Sequence, residues 1–259
     1  MKKYTKQNKY LYTCFVDFSK AFDSIWRKGL IQKLARIGLN GKFLNIIKSI
    51  YETTTNSILY KDQLSPKFTS NIGVKQGDTL STILFNLYIN DLPEIFKFDR
   101  NHPITINNTE ISCMNYADDL VIMATSHTAL QQCLNNLEIY CKQWKLEVNI
   151  KKTKIVTFNK QGALIKKHSY NYKSYTLENV KEYKYLGFTF TCSGSMKHGV
   201  ANLVQQGKKA WHAIQYYLQI SKNKTLHTYL TLFDSKIKPI ITYACEAWVD
   251  SIDGKKRHR

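Results

Sequence analysis

Residues 111–124 read Ile-Ser-Cys-Met-Asn-Tyr-Ala-Asp-Asp-Leu-Val-Ile-Met-Ala, and this stretch decides the fold. Ile111 to Tyr116 and Leu120 to Ala124 are rich in strand-forming residues, and they flank Ala117-Asp118-Asp119. This arrangement predicts a β-hairpin with two acids at its tip. Because aspartate also favours turns for conformational reasons, the pair alone is weak evidence of chemistry. Its meaning depends on where the other acids of the chain stand.

A third acid, Asp17, ends an apolar run from Leu11 that predicts a buried strand. Carboxylates at strand ends beside a core are costly unless positive charge lies between them. A pair of Mg²⁺ ions would supply that charge, since Mg²⁺ takes one or two carboxylates together with substrate phosphates. Two ions roughly 3.5–4 Å apart would activate an attacking hydroxyl and stabilise a leaving phosphate group. Asp17, Asp118 and Asp119 are therefore candidate catalytic and metal-binding residues.

Between Asp17 and the hairpin, apolar residues recur at helical spacing. Polar caps and glycines mark where the helices begin and end. The expected features are, in order, a first helix capped by Asp23 or Ser24 and ended by Gly38, a second through residues 43–50, a loop over 73–78, and a third capped by Asp78 or Thr79 and running to about Leu92.

After the hairpin we expect a helix, short strands, and then a helical pattern from about Lys197 that is interrupted near Pro239. The helix carries Leu130, Leu134, Leu137, Cys141 and Trp144 on one face, and the strands lie near residues 155–158 and 185–190. This order predicts an α+β fold, a small antiparallel sheet with helices packed on one face. A shift to basic, helical sequence predicts three segments: residues 1–195, a helical region 196–250, and a basic tail 251–259.

The chain is strongly basic, because 38 Lys and Arg against 19 Asp and Glu give a formal net charge of +19. Residues 142–167 contain eight lysines and one acid, and residues 197–238 contain seven and one. A solvated lysine surface is the simple interpretation. Two long blocks with interleaved aromatic residues instead favour a polyanionic partner, of which nucleic acid is the commonest.

The composition excludes several classes of protein. With 43% apolar and 13% aromatic residues the chain is globular rather than disordered. No stretch approaches the roughly 18 uncharged apolar residues that a membrane span requires. The amino terminus lacks the apolar segment of a signal peptide, so an intracellular protein is expected. The six cysteines are scattered without paired spacing, which favours core residues over zinc ligands or disulfides.

Five ordered motifs together resemble the reverse transcriptases, and most closely those of non-LTR (LINE-type) retrotransposons. Any one alone would be unspecific. They are Val16-Asp17-Phe18-Ser19-Lys20-Ala21-Phe22-Asp23, Gly73-Val74-Lys75-Gln76-Gly77-Asp78-Thr79-Leu80-Ser81, Tyr116-Ala117-Asp118-Asp119, Asn149-x-x-Lys152-Thr153 and Tyr185-Leu186-Gly187. With Tyr243 to Trp248 near the end, the resemblance covers about residues 10 to 250.

The resemblance implies a polymerase palm followed by a helical thumb, with a role for each matched residue. Asp17, Asp118 and Asp119 would bind two Mg²⁺ ions, with Mn²⁺ as a substitute. Phe22 would lie under the incoming sugar and exclude a 2′-hydroxyl, or else be core. The other implied residues are Gln76 and Gly77 at the nucleotide, Lys152 near the triphosphate, Leu186 and Gly187 in the turn that holds the primer end, and Lys208, Lys209 and Trp211 on the template–primer phosphates.

For several of these residues an ordinary structural role is a close alternative. Gln76 would then be a loop residue, Lys152 part of a solvated face, and Leu186-Gly187 a structural hairpin turn. In the region after Gly77, Thr79 and Thr82 stand where many relatives carry proline. Only 16 residues precede Asp17, so most of the fingers region is expected to be missing, as in a fragment of a longer reading frame.

The implied activity is RNA-directed DNA polymerisation, by two-metal transfer of deoxynucleotides onto a primer 3′-hydroxyl. Its partners would be an RNA template, a DNA primer and deoxynucleoside triphosphates, with no membrane. The alternative is a catalytically silent relic that binds RNA or RNA–DNA hybrid without extending it. An RNA-directed RNA polymerase is disfavoured by Phe22, because that enzyme must accept a 2′-hydroxyl.

Overall fold

The computed structural model describes residues 9–52, 54–96, 104–106, 108–220 and 225–252. The chain divides into two compact units. The first, called the sheet unit, comprises Tyr12–Ile155 and Lys166–Glu178, and the second, called the helical unit, comprises Met1–Leu11, Val156–Ile165 and Asn179–Arg259. The three segments expected from the sequence stay a prediction, and the basic tail lies outside the described residues from 253 onward.

Six strands form the main sheet, in the order β11-β12-β10-β1-β9-β8. Their bounds are Leu11–Asp17 (β1), Cys113–Tyr116 (β8), Asp119–Ala124 (β9), Lys154–Phe158 (β10), Tyr170–Tyr172 (β11) and Tyr175–Asn179 (β12). The residues of β1 from Leu11 to Val16 are all buried, on both faces of the strand, which explains why its sequence is apolar almost throughout. The expected strand and the expected acidic hairpin of β8 and β9 are confirmed.

The described residues of the sheet unit form four α-helices: Arg27–Arg36 (α1), Gly41–Glu52 (α2), Thr79–Tyr88 (α3) and His127–Trp144 (α4). Alternate residues of β1, namely Tyr12, Cys14 and Val16, share one buried cluster with the apolar faces of these helices. Alternation places these three side chains on one face of the sheet. The α+β fold with helices against one face is thereby confirmed.

Short hairpins occupy the connections. Their strands are Thr55–Asn56 (β2) with Phe68–Thr69 (β5), Leu59–Tyr60 (β3) with Gln63–Leu64 (β4), and Ile104–Ile106 (β6) with Thr109–Ile111 (β7). Ile111, expected in the acidic hairpin, therefore ends a separate hairpin.

Two helix bounds differ from the expectation. Helix α1 begins at Arg27 after Trp26, which makes no side-chain cap. Asp23 and Ser24 are occupied elsewhere, since Asp23 accepts a hydrogen bond from Gln76 and Ser24 donates one to the Ala21 carbonyl. Helix α3 begins after the expected cap, Asp78, but ends at Tyr88. A separate 3₁₀ turn, Leu92–Phe96, follows, with Pro93 in its first turn, where the missing amide costs no hydrogen bond.

The helical unit contains a hairpin and most of the carboxy-terminal helices. Its elements are Glu182–Tyr185 (β13), Phe188–Thr191 (β14), Lys197–Ile220 (α5), Leu226–Leu232 (α6), a π-helical turn Phe233–Ile237, Lys238–Ile241 (α7) and Cys245–Ile252 (α8). The strand expected near 185–190 is thus two strands joined by a turn at Leu186-Gly187. No helix in the described ranges is long and apolar enough to cross a membrane.

Candidate active site

Strand pairing brings the three candidate acids together. The antiparallel register of β1 and β9 places Asp17 directly opposite Asp119. Asp118 and Ala117 form the tip between β8 and β9, where Tyr116 is paired with Asp119 and Ala117 has a positive φ of 50°. The expected convergence of Asp17 on the hairpin tip is therefore present, although about a hundred residues of chain separate them.

The three carboxylates repel one another. Partial burial raises the pKa of Asp119 above its usual value, and the charges of Asp118 and then Asp17 raise it further. Among the described residues, no group of three His, Cys, Asp or Glu side chains is already arranged as a metal site. The arrangement still fits a hard cation, because the three side chains supply oxygen ligands whose negative charges repel one another. Asp17 and Asp118 are the two that face the adjacent pocket.

The backbone of Asp17 is held by the segment that follows α4. The Asp17 amide donates to Thr153 Oγ1 at 3.2 Å, and the Asp17 carbonyl accepts from the Asn149 amide at 2.8 Å. The Ser19 amide donates to the Glu147 carbonyl at 2.7 Å. Thr153 is fully buried, so its hydrogen bond ties Asp17 to the edge of the core.

Lys152 lies on the same segment and approaches the acids. Its Nζ is 3.8 Å from Asp17 Oδ2, and its side chain is 70% exposed. An exposed ion pair of this length is weak, so Lys152 can leave Asp17 for a phosphate at small cost.

A pocket of about 400 Å³ opens beside these groups. It is lined by Asp17, Phe18, Ser19, Lys20, Ala21, Phe22, Gln76, Asp118, Asn149 and Lys152. The ring of Phe22 is stacked on buried Phe85, with centroids 4.7 Å apart and planes at 23°. This stacking holds the Phe22 ring in place at the side of the pocket. The same ring packs against the hydrophobic core.

The loop before α3 contributes Gln76 to the pocket. Gln76 is exposed, and its Nε2 donates to Asp23 Oδ2 at 3.0 Å. Gly77 has a positive φ of 84° and an open surrounding, which lets the chain turn toward the helix cap at Asp78. Gly77 and Asp119 are not among the described residues that line the pocket.

Two residues that were not predicted as site residues, Arg27 and Gly73, support this loop, although Gly73 belongs to the loop that the sequence predicts. Arg27 donates through Nε to the Gly73 carbonyl at 2.8 Å and through one terminal nitrogen to the Tyr51 carbonyl at 2.8 Å and to the Ser70 carbonyl. Gly73 has a φ of 79°, and a Cβ there would lie 2.5 Å from the Asp23 carbonyl oxygen. No signal in the sequence distinguishes Arg27 from any other basic residue of a helix.

The remaining predicted residues lie in the helical unit. Leu186 and Gly187 both have positive φ and form the turn between β13 and β14, as expected. The Tyr243 hydroxyl donates to the Leu186 carbonyl at 2.6 Å. On α5, Lys208 and Lys209 are exposed, whereas Trp211 is half-buried with its ring 6.3 Å from that of Tyr229. Trp211 therefore has a packing role, and its contact with nucleic acid stays a prediction.

Comparison with known proteins agrees with this geometry. Residues 1–190 match the family model described as reverse transcriptase (RNA-dependent DNA polymerase), and the chain belongs to that family. It is 24% identical over 249 residues to the RNA-directed DNA polymerase from mobile element jockey of Drosophila funebris, covering 94% of this chain and 26% of the relative. It is 28% identical over 200 residues to the Pol polyprotein from the type-2 retrotransposable element R2DM of Drosophila melanogaster, covering 73% and 19%. The expected resemblance to non-LTR reverse transcriptases is confirmed.

Solved structures support the polymerase palm-and-thumb fold. The structure of apo telomerase from Candida tropicalis matches with a TM-score of 0.53 at 15% identity, covering 74% of this chain and 33% of that one. A form truncated from its C-terminal domain matches at 0.52 and 17% identity, covering 74% and 36%. The chain spans about a quarter of the length of the jockey relatives that it matches.

Proposed function

We propose that this chain performs the nucleotidyl-transfer step of RNA-directed DNA synthesis. The observation that carries the proposal is the register that sets Asp17 opposite Asp119, with Asp118 on the same pocket as Phe22, Gln76 and Lys152. In the proposed step a primer 3′-oxygen attacks the α-phosphorus of a deoxynucleotide. The bond from that phosphorus to pyrophosphate breaks, and the hydroxyl proton passes to solvent.

Asp17 and Asp118 would hold Mg²⁺ together with the phosphates of the nucleotide, with Asp119 behind them. When bound, the ions supply positive charge that stabilises both the attacking and the leaving oxygen. The raised pKa of Asp119 supports this assignment, because a site that concentrates carboxylates is stabilised by a cation. Mn²⁺ fits the same oxygen ligands.

The side chains around the acids would bind and select the nucleotide. Phe22, held by its stacking on Phe85, would fill the space that a 2′-hydroxyl needs. Lys152 would move from Asp17 to the triphosphate and neutralise the leaving pyrophosphate. Positioning and electrostatic stabilisation would thus supply most of the rate.

The proposed template is RNA, and the proposed primer is DNA. Lys208 and Lys209 on α5 would contact template–primer phosphates, which give affinity without sequence preference. Leu186 and Gly187 would contact the primer end, with Tyr243 supporting their turn. Such binding weakens with salt, by roughly 0.7–0.9 in log affinity per log salt for each phosphate contacted.

Primer extension on poly(rA)/oligo(dT) tests the proposal. We expect Mg²⁺-dependent incorporation by the wild type, which Asp17→Asn and Asp118→Asn each abolish because a neutral amide cannot replace the anionic ligand. Asp62→Asn, an exposed acid in the β3–β4 turn, is the matched control and retains activity. Equal rates in Asp118→Asn and the wild type would refute the metal assignment. Tight binding of the hybrid with no incorporation under any divalent ion would support the silent binder instead.

A further inference from the structure

A hydrogen-bonded network behind the pocket connects the turn after β1 with the loop before α3. From it we propose that Asp23 and Arg27 are positioning residues that hold Gln76 at the nucleotide, and that the Asp23 carboxylate sets which way the Gln76 amide faces. This inference rests on the proposed function of the pocket. Neither Asp23 nor Arg27 is one of the residues assigned to the metals.

Arg27 joins the loop to the helices beneath it. Its guanidinium donates to the carbonyls of Gly73, Tyr51 and Ser70, and it lies 5.3 Å from the centroid of the Tyr51 ring. Burial lowers the pKa of Arg27. A guanidinium nevertheless stays protonated at neutral pH. A planar group with several fixed donors can connect separate carbonyls in this way, whereas a lysine ammonium presents a single point of contact.

The loop is also attached to the turn after β1 through its backbone. The Gly73 amide donates to the Ile25 carbonyl at 2.9 Å, and the Val74 amide donates to the Phe22 carbonyl at 2.8 Å. Both amides are buried with their residues, and Gly73 is in contact with the Asp23 backbone. Phe22 and Gln76 therefore lie on two segments that backbone hydrogen bonds join to each other.

The Gln76 side chain lies between two cavities. One is the pocket of about 400 Å³ that contains Asp17 and Asp118, and the other, of about 510 Å³, is lined by Asp23, Arg27 and residues 70 and 72–76 among others. Because Gln76 is exposed, its rotamer needs a partner to be fixed. Asp23 provides it at 3.0 Å. An ionised carboxylate only accepts hydrogen bonds, so Gln76 must turn its Nε2 toward Asp23 and its Oε1 away.

Steady-state kinetics of incorporation test this role. We expect Asp23→Asn and Arg27→Lys each to raise KM for the deoxynucleotide on the order of tenfold, the effect of losing a charge-assisted hydrogen bond, while kcat changes less than about twofold. Asp62→Asn and Arg36→Lys, matched changes of an exposed acid and of an arginine on the same helix, leave both parameters unchanged. A fall in kcat with constant KM would indicate a merely structural role and would overturn the proposal.

A double-mutant cycle identifies the residue through which Asp23 acts. In a Gln76→Ala background the effect of Asp23→Asn on KM should disappear, because the amide that Asp23 orients is gone. An undiminished effect in that background would show that Asp23 acts directly or through another group, contrary to the proposal.

Two measurements on the free protein test, independently of activity, whether Arg27 holds the loop and whether Asp23 orients the Gln76 amide. Arg27→Lys should speed hydrogen exchange at the Gly73 and Val74 amides, while exchange in α4 stays unchanged. Asp23→Asn should shift and broaden the side-chain amide resonances of Gln76, as the group gains a second orientation. Unchanged exchange and unchanged resonances would refute the network. If the wild type shows no Mg²⁺-dependent incorporation, the proposed function fails, yet these two measurements still show whether Arg27 and Asp23 hold the loop.

Discussion

The burial of Lys33 leads us to predict an unusual contribution to the dependence of stability on pH. This lysine of α1 is only 3% exposed, and its Nζ donates to Asp91 Oδ1 at 2.5 Å, to the Tyr140 hydroxyl at 2.6 Å and to the Tyr88 carbonyl at 2.5 Å. Its Nζ also lies 3.9 Å from the centroid of the Trp144 ring. Burial lowers the pKa of Lys33 from 10.5 to about 8, although Asp91 acts in the opposite direction.

The sign of the effect follows from proton binding. Below about pH 8 both the folded and the unfolded chain hold the Lys33 proton, and the folded chain bears the cost of a buried charge. Between about pH 8 and 10.5 the unfolded chain binds more protons, so the free energy of unfolding rises. The slope is at most about 1.4 kcal/mol per pH unit, and the total is ~3 kcal/mol.

Buried tyrosines and cysteines oppose this rise at high pH. Burial is the main cause that raises the pKa of Tyr88 and of Tyr140 above the ordinary value of 10.0. Above that pH their unfolded forms lose protons first, so these tyrosines lower the stability of the folded chain. Burial likewise raises the pKa of the Cys14, Cys141 and Cys192 thiols above 9.0, so their contribution to stability falls from about pH 9. The contribution of Lys33 is therefore measured as the difference in unfolding free energy between the wild type and a variant without this lysine, and we expect that difference to rise from about pH 8 to about pH 10.

Urea unfolding followed by tryptophan fluorescence measures the effect, because Trp144 is buried beside Lys33. Lys33→Met removes the titrating group, so the wild type should gain stability relative to this variant between pH 8 and pH 9.5, whereas Lys28→Met, at an exposed lysine of the same helix, should keep the pH dependence of the wild type. A difference between the wild type and Lys33→Met that stays constant or shrinks between pH 8 and pH 9.5 would refute the reasoning, as would a Lys28→Met variant whose pH dependence matches that of Lys33→Met.

Three further predictions concern the pocket. Gly73→Ala should lower thermal stability by about 1–3 kcal/mol, because its Cβ would meet the Asp23 carbonyl, and more than Gly77→Ala, whose surrounding is open; equal losses would exclude the close contact. In EDTA, Asp118→Asn should stabilise the chain, by less than about 1 kcal/mol, because it removes a charge that raises the pKa of Asp119, and destabilisation would contradict this. Phe22→Val should improve use of ribonucleotides at least about tenfold relative to deoxynucleotides in primer extension, and unchanged selectivity would refute exclusion by the ring.

Local sequence patterns were sufficient to predict the elements whose buried residues recur at a regular spacing along the chain. Leu130, Leu134 and Leu137 are all buried, so the spacing of apolar residues predicts α4 from the sequence alone. The acidic hairpin is predicted for a similar reason, since β9 is apolar up to its tip. The pairing of Asp17 with Asp119 is different, because nothing in either strand specifies its distant partner. That part of the site depended on the order of the family's motifs.

Local patterns failed where a tertiary contact competes with them. Asp23 has the side chain of a good helix cap, yet α1 starts later because Asp23 bonds to Gln76 across the chain. In the sequence, Arg27 looks like any other basic residue of a helix. Its role exists only because the carbonyls of Gly73, Tyr51 and Ser70, distant along the chain, converge on it. Carboxylates beside a core indicate a missing counter-charge and so point to chemistry. Donors to backbone carbonyls leave no comparable sign, because every residue offers the same carbonyl. Residues that only position others in a site therefore require the structure to be found.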